Sequence, residues 1–241
     1  MKVKDILDRV TTLYNDTDYI RVPESTYFKF IYDALNQLVL LRPDCYVKTD
    51  IIKLNTGTRQ RLPSNGCALI DIYMNKKAVI TDEGDTVFHD SYPITRVDRI
   101  ELDYSSAWHT WFKSDKKYVT EFAYDTKSPD TFWVTPPVED SSVYVEVDYS
   151  YPFYDILSID DVQEIRDYEI DLPDIWMGPI CNYVLHLLYS VDSTSQLDRQ
   201  IAQSYLQSFY QSINLEYESS NRVSPTVDNK NKPITGVIQN A

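Results

Sequence analysis

Carboxylates are the most chemically capable side chains of this sequence. Between Glu139 and Asp174 there are twelve acidic residues and one basic residue, Arg166. A carboxylate pair can supply the acid and the nucleophile of glycoside hydrolysis, and a closely spaced set can bind Ca²⁺. The run from Asp160 to Asp171 lacks the glycine that a calcium-binding loop needs at its sharp turn. A solvated acidic connection is the simpler interpretation, and a hydrolase remains an alternative hypothesis.

The remaining residue types indicate no other catalytic site. The sequence contains no nucleophile elbow, dinucleotide fingerprint, P-loop or zinc-protease helix motif. His186 lies in a very apolar segment, where we expect it to pack rather than to bind a metal. The three cysteines are widely spaced, which favours free thiols over a zinc site: Cys45, Cys67 and Cys181. We therefore predict no catalytic residue, no cofactor and no metal.

Aromatic residues suggest a binding function as the alternative to catalysis. Trp108, Trp111 and Trp133 could form a platform on which sugar rings stack. This second hypothesis describes a β-sandwich module that binds carbohydrate or another ligand in a phage or bacterial surface assembly. Packing beneath a loop is the simpler explanation of the same tryptophans. The 20 tyrosines suit protein–protein interfaces, although a compositional bias of the genome would also produce them.

The charge of the chain restricts its partners. A formal net charge of −14 argues against a nucleic-acid binder, which would need a basic face, and against binding to anionic membranes. No run approaches the roughly 20 apolar residues of a membrane span. The first residues lack the apolar core of a signal peptide. We expect a protein without a membrane partner that is made in a cytoplasm.

The last 24 residues, 218–241, follow a strongly periodic helix at Ser195–Tyr217 and cannot build a core of their own. From Ser219 onward they hold more basic than acidic residues, and they become apolar near the end. A basic segment with an apolar tip suits docking in extended form on a partner. A flexible end without a partner is the alternative. The candidate binding residues are Arg222, Lys230, Lys232, Pro233, Ile234, Val237 and Ile238.

Hydrophobic periodicity changes twice along the chain. Helical spacing at Val3–Tyr14, and from Pro23 to a stop at Arg42-Pro43, predicts an αα-hairpin. Helical spacing returns after Pro173. Residues 82–94 are expected to be a loop, and Ile94–Leu102 and Ser105–Phe112 are short helix candidates. The predicted strands, of which the first two should form a hairpin, are Tyr46–Leu54, Arg59–Leu62, Cys67–Asn75, Tyr118–Asp125, Thr131–Thr135 and Val143–Ser150.

These elements predict an α+β fold. The N- and C-terminal helix pairs should form one helical bundle, with an inserted antiparallel β-rich lobe and an extended C-terminal tail. The expected boundaries are 1–44 and 173–217 for the bundle, 45–150 for the β-rich lobe, 151–172 for an acidic connection and 218–241 for a docking tail.

Four short motifs occur in a characteristic order. Asn15–Asp18 is an N-D-x-D link, and Leu41–Asp44 is an L-R-P-D helix end. Gly57–Gln60 is a G-T-R-Q turn, and Pro129–Pro137 has the pattern P-x-x-F-x-V-x-P-P. In this order the chain resembles, over about residues 3–217, the head-to-tail adaptor proteins of tailed phages. These are the neck or connector subunits beneath the portal, also called gatekeeper or tail-tubular proteins.

The resemblance implies a structural virion protein without catalytic residues. Such adaptors form homo-oligomeric rings, typically twelve-fold, that dock on the portal and contact tail or nozzle proteins. DNA passes through the ring without specific binding, and an acidic lumen would repel its phosphates. The C-terminal tails of such adaptors often reach the portal. The resemblance therefore implies a location in the virion neck, after assembly in the cytoplasm of a host bacterium.

Overall fold

The computed structural model describes residues 1–80, 85–100, 118–139, 142–153, 156–191 and 195–223, with side chains in the last range up to residue 214. Within these ranges the chain is α+β. The helices are α1 Val3–Tyr14, α2 Glu24–Leu41, α3 Val162–Asp167, α4 Met177–Val191 and α5 Gln196–Val223. The strands are β1 Val47–Lys53, β2 Gly57–Arg61, β3 Ala68–Ile80, β4 Thr86–Pro93, β5 Thr95–Val97, β6 Glu121–Tyr124, β7 Thr131–Val138 and β8 Tyr144–Ser150.

Local signals set the ends of the helices. Asn15 takes the left-handed conformation, with φ of 57°, and ends α1. The Asn15 and Asp16 N–H groups then donate to the carbonyls of the last turn, as in a Schellman motif. α2 begins directly after Pro23 and ends before Arg42-Pro43, as predicted. Ser195 caps α5, because its hydroxyl accepts the Asp198 N–H at 3.1 Å. No helix in the described part of the chain has the length and apolar character that crossing a bilayer requires.

The helices are not arranged as N- and C-terminal pairs. α1 packs against α4 and α3, and its neighbour in sequence, α2, is not among its main packing partners. α4 packs extensively on α5. The predicted bundle of two sequential pairs around an inserted lobe is therefore wrong. α3 and α4 pack against α1, although they are distant in sequence. Amphipathic helices are stabilised by tertiary packing, which does not depend on closeness in sequence.

The chain divides into two compact units, and the division falls within α2 between Ala34 and Leu35. The first unit contains Met1–Ala34 and the described residues from Ile156 onward. In it, Lys2 forms an antiparallel bridge with Glu169, and the Val3 N–H donates to the Tyr168 carbonyl at 3.1 Å. The acidic connection thus contains α3 and is hydrogen-bonded to the start of the chain.

The second unit comprises the described residues of Leu35–Asp155 and contains two four-stranded sheets. The first sheet has the order β1-β8-β3-β4, and the second has the order β2-β7-β6-β5. All neighbouring strands are antiparallel except β5 and β6. Side chains of both sheets form one core, which includes Leu69, Ile72, Phe122, Phe132, Val134, Val145 and Val147. The predicted alternation of β8 is confirmed, with Val145 and Val147 buried.

The predicted hairpin between the first two strands is wrong. β1 pairs with β8 and β2 pairs with β7, so the chain crosses from one sheet to the other between them. The Gln60 side chain stabilises the turn at which the chain crosses. Its amide oxygen accepts a hydrogen bond from the Asn55 N–H, and its amide nitrogen donates one to the Asn55 carbonyl. Gly57 takes a φ of 101° there, which a residue with a Cβ rarely adopts.

The segment from Thr86 to Val97 also differs from the prediction. The expected loop at 82–94 contains β4. Within the expected helix at Ile94–Leu102, Thr95–Val97 form the strand β5, and helical backbone begins only at Arg99. β4 is almost entirely exposed, so it lacks the alternation of apolar residues that would have revealed a strand. The helix candidate Ser105–Phe112 lies outside the described residues.

Candidate interaction surface

The link between α1 and α2 is built around the carboxylate of Asp16, which is only 4% exposed. It accepts hydrogen bonds from the backbone N–H groups of Ile20, Arg21 and Val22 at 2.8–3.0 Å, and from the Tyr27 hydroxyl at 3.0 Å. Burial alone would raise the pKa of Asp16, but these hydrogen bonds together lower it. The N-D-x-D motif therefore fixes the link and uses its carboxylate within the fold.

In the L-R-P-D motif, Arg42 and Asp44 form a bidentate ion pair. The Arg42 Nε and Nη2 atoms lie 2.8 and 2.7 Å from the two carboxylate oxygens of Asp44. Burial alone would raise the pKa of Asp44, but the hydrogen bonds and charge of Arg42 lower it. Pro43 between them begins a single 3-10 turn that leads into β1. The motif thus sets the passage from α2 to the first sheet.

The other two motifs also shape the backbone. In the G-T-R-Q turn, Gln60 is buried, and besides its hydrogen bonds to Asn55 its side-chain amide donates to the Gly57 carbonyl at 3.1 Å. In the P-x-x-F-x-V-x-P-P strand, Phe132 and Val134 fill the core, and the Thr135–Pro136 peptide bond is cis. All four motifs therefore direct folding, and their contacts do not converge on a chemical site.

The carboxylates do not support the hydrolase hypothesis. Among the described residues, no group of three or more His, Cys, Asp or Glu side chains is placed to hold a metal ion. Asp71 and Asp148 lie opposite each other on β3 and β8. Asp148 accepts the Thr49 hydroxyl, and Asp71 accepts the Ile72 N–H. Burial raises the pKa of Asp71. The two side chains stand on the face of the sheet that points away from its core.

Trp133, one of the three tryptophans of the predicted sugar-binding platform, is buried. Trp133 is 8% exposed, packs with Ala123 and Val97, and has the Arg99 guanidinium carbon 3.4 Å from its ring centroid. This cation–π contact covers the ring face that a sugar would need. Trp108 and Trp111 lie outside the described residues. The two sheets resemble the architecture of the carbohydrate-binding hypothesis, but Trp133 does not offer its ligand site.

His186, Cys45 and Cys181 are partly or fully buried, and Cys67 is exposed. His186 Nδ1 lies 3.0 Å from the Ala202 carbonyl oxygen, between α4 and α5. The three cysteines are free. Burial raises the pKa of the Cys45 thiol to about 12 and that of Cys181 to about 11, so neither is a ready nucleophile near neutral pH.

The predicted docking residues fall mostly beyond the described chain. α5 continues past its expected end at Tyr217 to Val223, and Arg222 lies in its last turn. The remaining six candidates lie outside the described residues: Lys230, Lys232, Pro233, Ile234, Val237 and Ile238. Their role in docking stays a prediction from the sequence.

One interaction surface that the sequence did not indicate is the β3–β4 arm, which comprises Lys76–Ile80 and Thr86–Asp90. β8 pairs with β3 only as far as Lys76, so the arm extends beyond the sheet as two paired strands. Val79, Ile80 and Val87 on it are 38%, 75% and 42% exposed. Apolar side chains on an exposed strand pair are typical of surfaces that contact another chain.

The base of the arm is fixed to the sheet by a small cluster. The Lys76 ammonium lies 2.5 Å from an Asp90 oxygen and 3.1 Å from a Glu146 oxygen. The rings of Phe88 and Tyr144 lie 5.1 Å apart. The direction of the arm is thus set by contacts to β8.

A comparison with protein families decides the class of the protein. The family model described as SU10 adaptor protein matches residues 1–229. The chain belongs to the SU10 adaptor protein family. This match confirms the resemblance to phage head-to-tail adaptors that the four motifs indicated. No curated protein matches the chain.

Membership in the SU10 adaptor family identifies a structural adaptor protein of a phage. Proteins of this class join other virion proteins and are generally not enzymes. The motifs of this SU10 adaptor were recognisable because each has a strict local conformation to satisfy. The β3–β4 arm was not, because exposed strands have no periodic apolar pattern.

Proposed function

We propose that this adaptor forms a twelve-fold ring that joins the portal to the tail in the virion neck, and that DNA passes through its channel. The observation that carries the proposal is the SU10 adaptor match over residues 1–229. The twelve-fold number rests on the resemblance to tailed-phage neck proteins. Assembly takes place in the cytoplasm of the host bacterium.

The charge of the chain supports passage of DNA without binding. The net charge is −14, and exposed carboxylates before and within α3 include Asp160, Asp161 and Glu164. A negatively charged wall repels phosphate groups, so a DNA duplex moves past it without being held.

The C-terminal residues supply the contact with the portal in this proposal. Arg222, Lys230 and Lys232 provide positive charge, and the segment Pro233–Ile238 provides an apolar end. A basic segment is attracted to an acidic surface, and its apolar end then adds contact area on the partner. Exposed aromatic side chains of the second unit, such as Tyr73 and Tyr92, provide contacts for tail proteins.

The test is to mix the purified protein with its portal and to examine the mixture by electron imaging. The expected result is a ring of twelve subunits seated on the portal. Deletion of residues 224–241, beyond the end of α5, should abolish portal binding while the melting temperature stays unchanged. Absence of any ring on the portal would contradict the proposed function.

Two substituted proteins separate the contributions of charge and apolar contact. Lys230→Gln with Lys232→Gln removes positive charge and should weaken binding mainly at low salt, where charges are least screened. Ile234→Ser with Ile238→Ser removes apolar area and should weaken binding at all salt concentrations. Unchanged portal affinity after the deletion would show that another surface makes the contact.

A further inference from the structure

The first sheet ends in two unpaired edges. In the order β1-β8-β3-β4, β1 and β4 each have one strand neighbour among the described residues. All residues of β4 are exposed except Phe88, which is half-buried, and β1 consists of exposed and half-buried residues. Each edge presents backbone N–H and C=O groups that a further strand can bond.

We propose that the β4 edge of one copy pairs with the β1 edge of the next copy, so that the first sheets of neighbouring subunits join head to tail. The inference rests on the ring proposed above and names the surface that closes it. The occupant of each edge is a second copy of this chain.

Strand direction permits this pairing throughout a ring. Three antiparallel steps separate β1 from β4, so the two edges run in opposite directions within one copy. Copies related by rotation about a ring axis keep the same strand direction. β4 of one copy and β1 of the next therefore meet antiparallel, which continues the hydrogen-bonding pattern of the sheet. A head-to-tail contact of this kind generates a closed ring when the rotation closes.

The two faces of the sheet limit the register of the pairing. Ile52 lies on the core side of β1, opposite Val145, and Ile51 therefore lies on the outer side. Phe88 contacts Tyr144, which neighbours Val145 on the strand and so points to the outer side. Residues paired across antiparallel strands share a face. A shift of one residue would therefore bring core-side residues opposite outer-side residues.

One register with matching faces also matches the side chains. It places Ile51 opposite Phe88 and Ile52 opposite Val87. In the same register Asp50 faces His89. A shift of two residues in either direction would instead place Ile51 opposite Thr86 or Asp90. The edges also complement each other in charge, since β1 carries two lysines and one aspartate while β4 carries one aspartate and no lysine or arginine.

The stagger of this register suits a closed sheet. Within one copy Lys53 is level with Asp90 through the pairs with Tyr144 and Lys76. In the proposed contact Lys53 meets Thr86, four residues before Asp90 on β4. Four residues correspond to roughly 13 Å along the strand and four strands to roughly 19 Å across the sheet. The ratio gives a strand tilt of about 35°, at the lower end of the usual tilt of about 35–45° in closed sheets.

The test uses cysteine cross-linking in a Cys67→Ser background, which removes an exposed thiol. Lys53→Cys and Thr86→Cys replace two exposed side chains that would be opposite each other between copies. Within one copy β8 and β3 separate these positions by more than roughly 14 Å, beyond the approximately 7 Å limit for a disulfide. On mild oxidation in the presence of portal, the double variant should give a ladder of covalent oligomers up to the full ring.

Matched controls define the register and the direction. Thr49→Cys with Thr86→Cys moves one thiol four residues away and should give no ladder. Each single variant alone should stay monomeric on denaturing gels, and a mixture of the two single variants should give dimers only. A covalent dimer from either single variant would mean that like edges pair, and it would overturn the proposal.

A charge exchange provides an independent measurement. Ile51→Lys with Phe88→Lys places like charges opposite each other and should reduce ring formation at least tenfold. Ile51→Lys with Phe88→Glu should restore it. If wild-type rings form on the portal without cross-links in the double variant, the edge pairing is wrong and the ring stands. If wild-type protein forms no ring, the proposed function and the edge pairing both fail.

Discussion

At the residue scale, the motif side chains of this adaptor act on its own backbone. The Asp16 carboxylate accepts three consecutive backbone N–H groups. The Gln60 side chain accepts the Asn55 N–H and donates to the Asn55 and Gly57 carbonyls. A charged acceptor in such a position is strongly favoured over an amide, because hydrogen bonds to an ionised group are the stronger kind. Motif residues of this type identify a family through its folding requirements rather than through its chemistry.

The Asp16 carboxylate should contribute measurably to stability. Asp16→Asn removes the charged acceptor and should lower the free energy of unfolding by about 1–3 kcal/mol. The pKa of Asp16 is lowered in the folded protein, so its contribution is fully present above the unfolded pKa, near 4, and is lost as the pH falls through the folded value. Denaturant unfolding of both proteins between pH 7 and pH 3 measures the difference.

Asp18→Asn is the control for this prediction, since Asp18 is exposed two residues along the same link. It should change the free energy of unfolding by less than about 0.5 kcal/mol. The gap between wild type and Asp16→Asn should narrow as the pH falls below 4. A gap that stays constant over this range would mean that the Asp16 charge does not stabilise the fold.

At the element scale, the side-chain amide of Asn75 forms hydrogen bonds with backbone groups, as a neighbouring strand would. Its side chain donates to the Val119 carbonyl at 2.7 Å and accepts the Val119 N–H at 2.9 Å. It also donates to the Tyr92 carbonyl at 2.9 Å. One buried side chain on β3 therefore holds both the end of β4 and the backbone just before β6.

Replacement of Asn75 should destabilise the second unit. Asn75→Ala leaves the Val119 N–H and carbonyl without their partner in a buried place, which should cost about 2–3 kcal/mol. Asn65→Ala, at an exposed turn position, should cost less than about 0.5 kcal/mol. Urea unfolding measures both, and equal effects of the two substitutions would contradict the assignment.

Elements with their own local signal were predictable from the sequence, and their partners were not. α1, α2 and β8 have clear periodicity and clear ends, and they form where expected. The pairing of β1 with β8 joins residues about a hundred positions apart, and nothing in the local pattern of β1 specifies it. The same reason explains the missing αα-hairpin, since α1 is buried by helices from the other end of the chain.

The candidate surface was predictable to a smaller extent. The sequence indicated a docking role for residues 218–241 through their charge and apolar content. It did not indicate β4, whose side chains are exposed on both faces and so follow no burial pattern. Surfaces that bind a partner in extended form are recognised from unpaired strand edges, which exist only once the sheet is assembled.

At the scale of the whole molecule, net charge should dominate behaviour toward DNA. With a charge of −14, the protein should not retain duplex DNA in a filter-binding assay at about 0.15 M salt, because an acidic protein does not neutralise the phosphates and so does not gain from the release of their counterions. The protein should also retain no DNA on the filter at about 0.05 M salt, where charges are less screened. Retention that weakens steeply with added salt would contradict an acidic channel.

The order of the two units along the chain has a consequence for synthesis. The second unit is one continuous stretch, Leu35–Asp155, whereas the first is completed only by residues from Ile156 onward. During synthesis the apolar stripe of α1 stays exposed until α3 and α4 have left the ribosome. The bridge between Lys2 and Glu169 also forms only after Glu169 has been added. We therefore expect the second unit to fold before the first, and a nascent chain halted near residue 160 to expose α1 to chaperones.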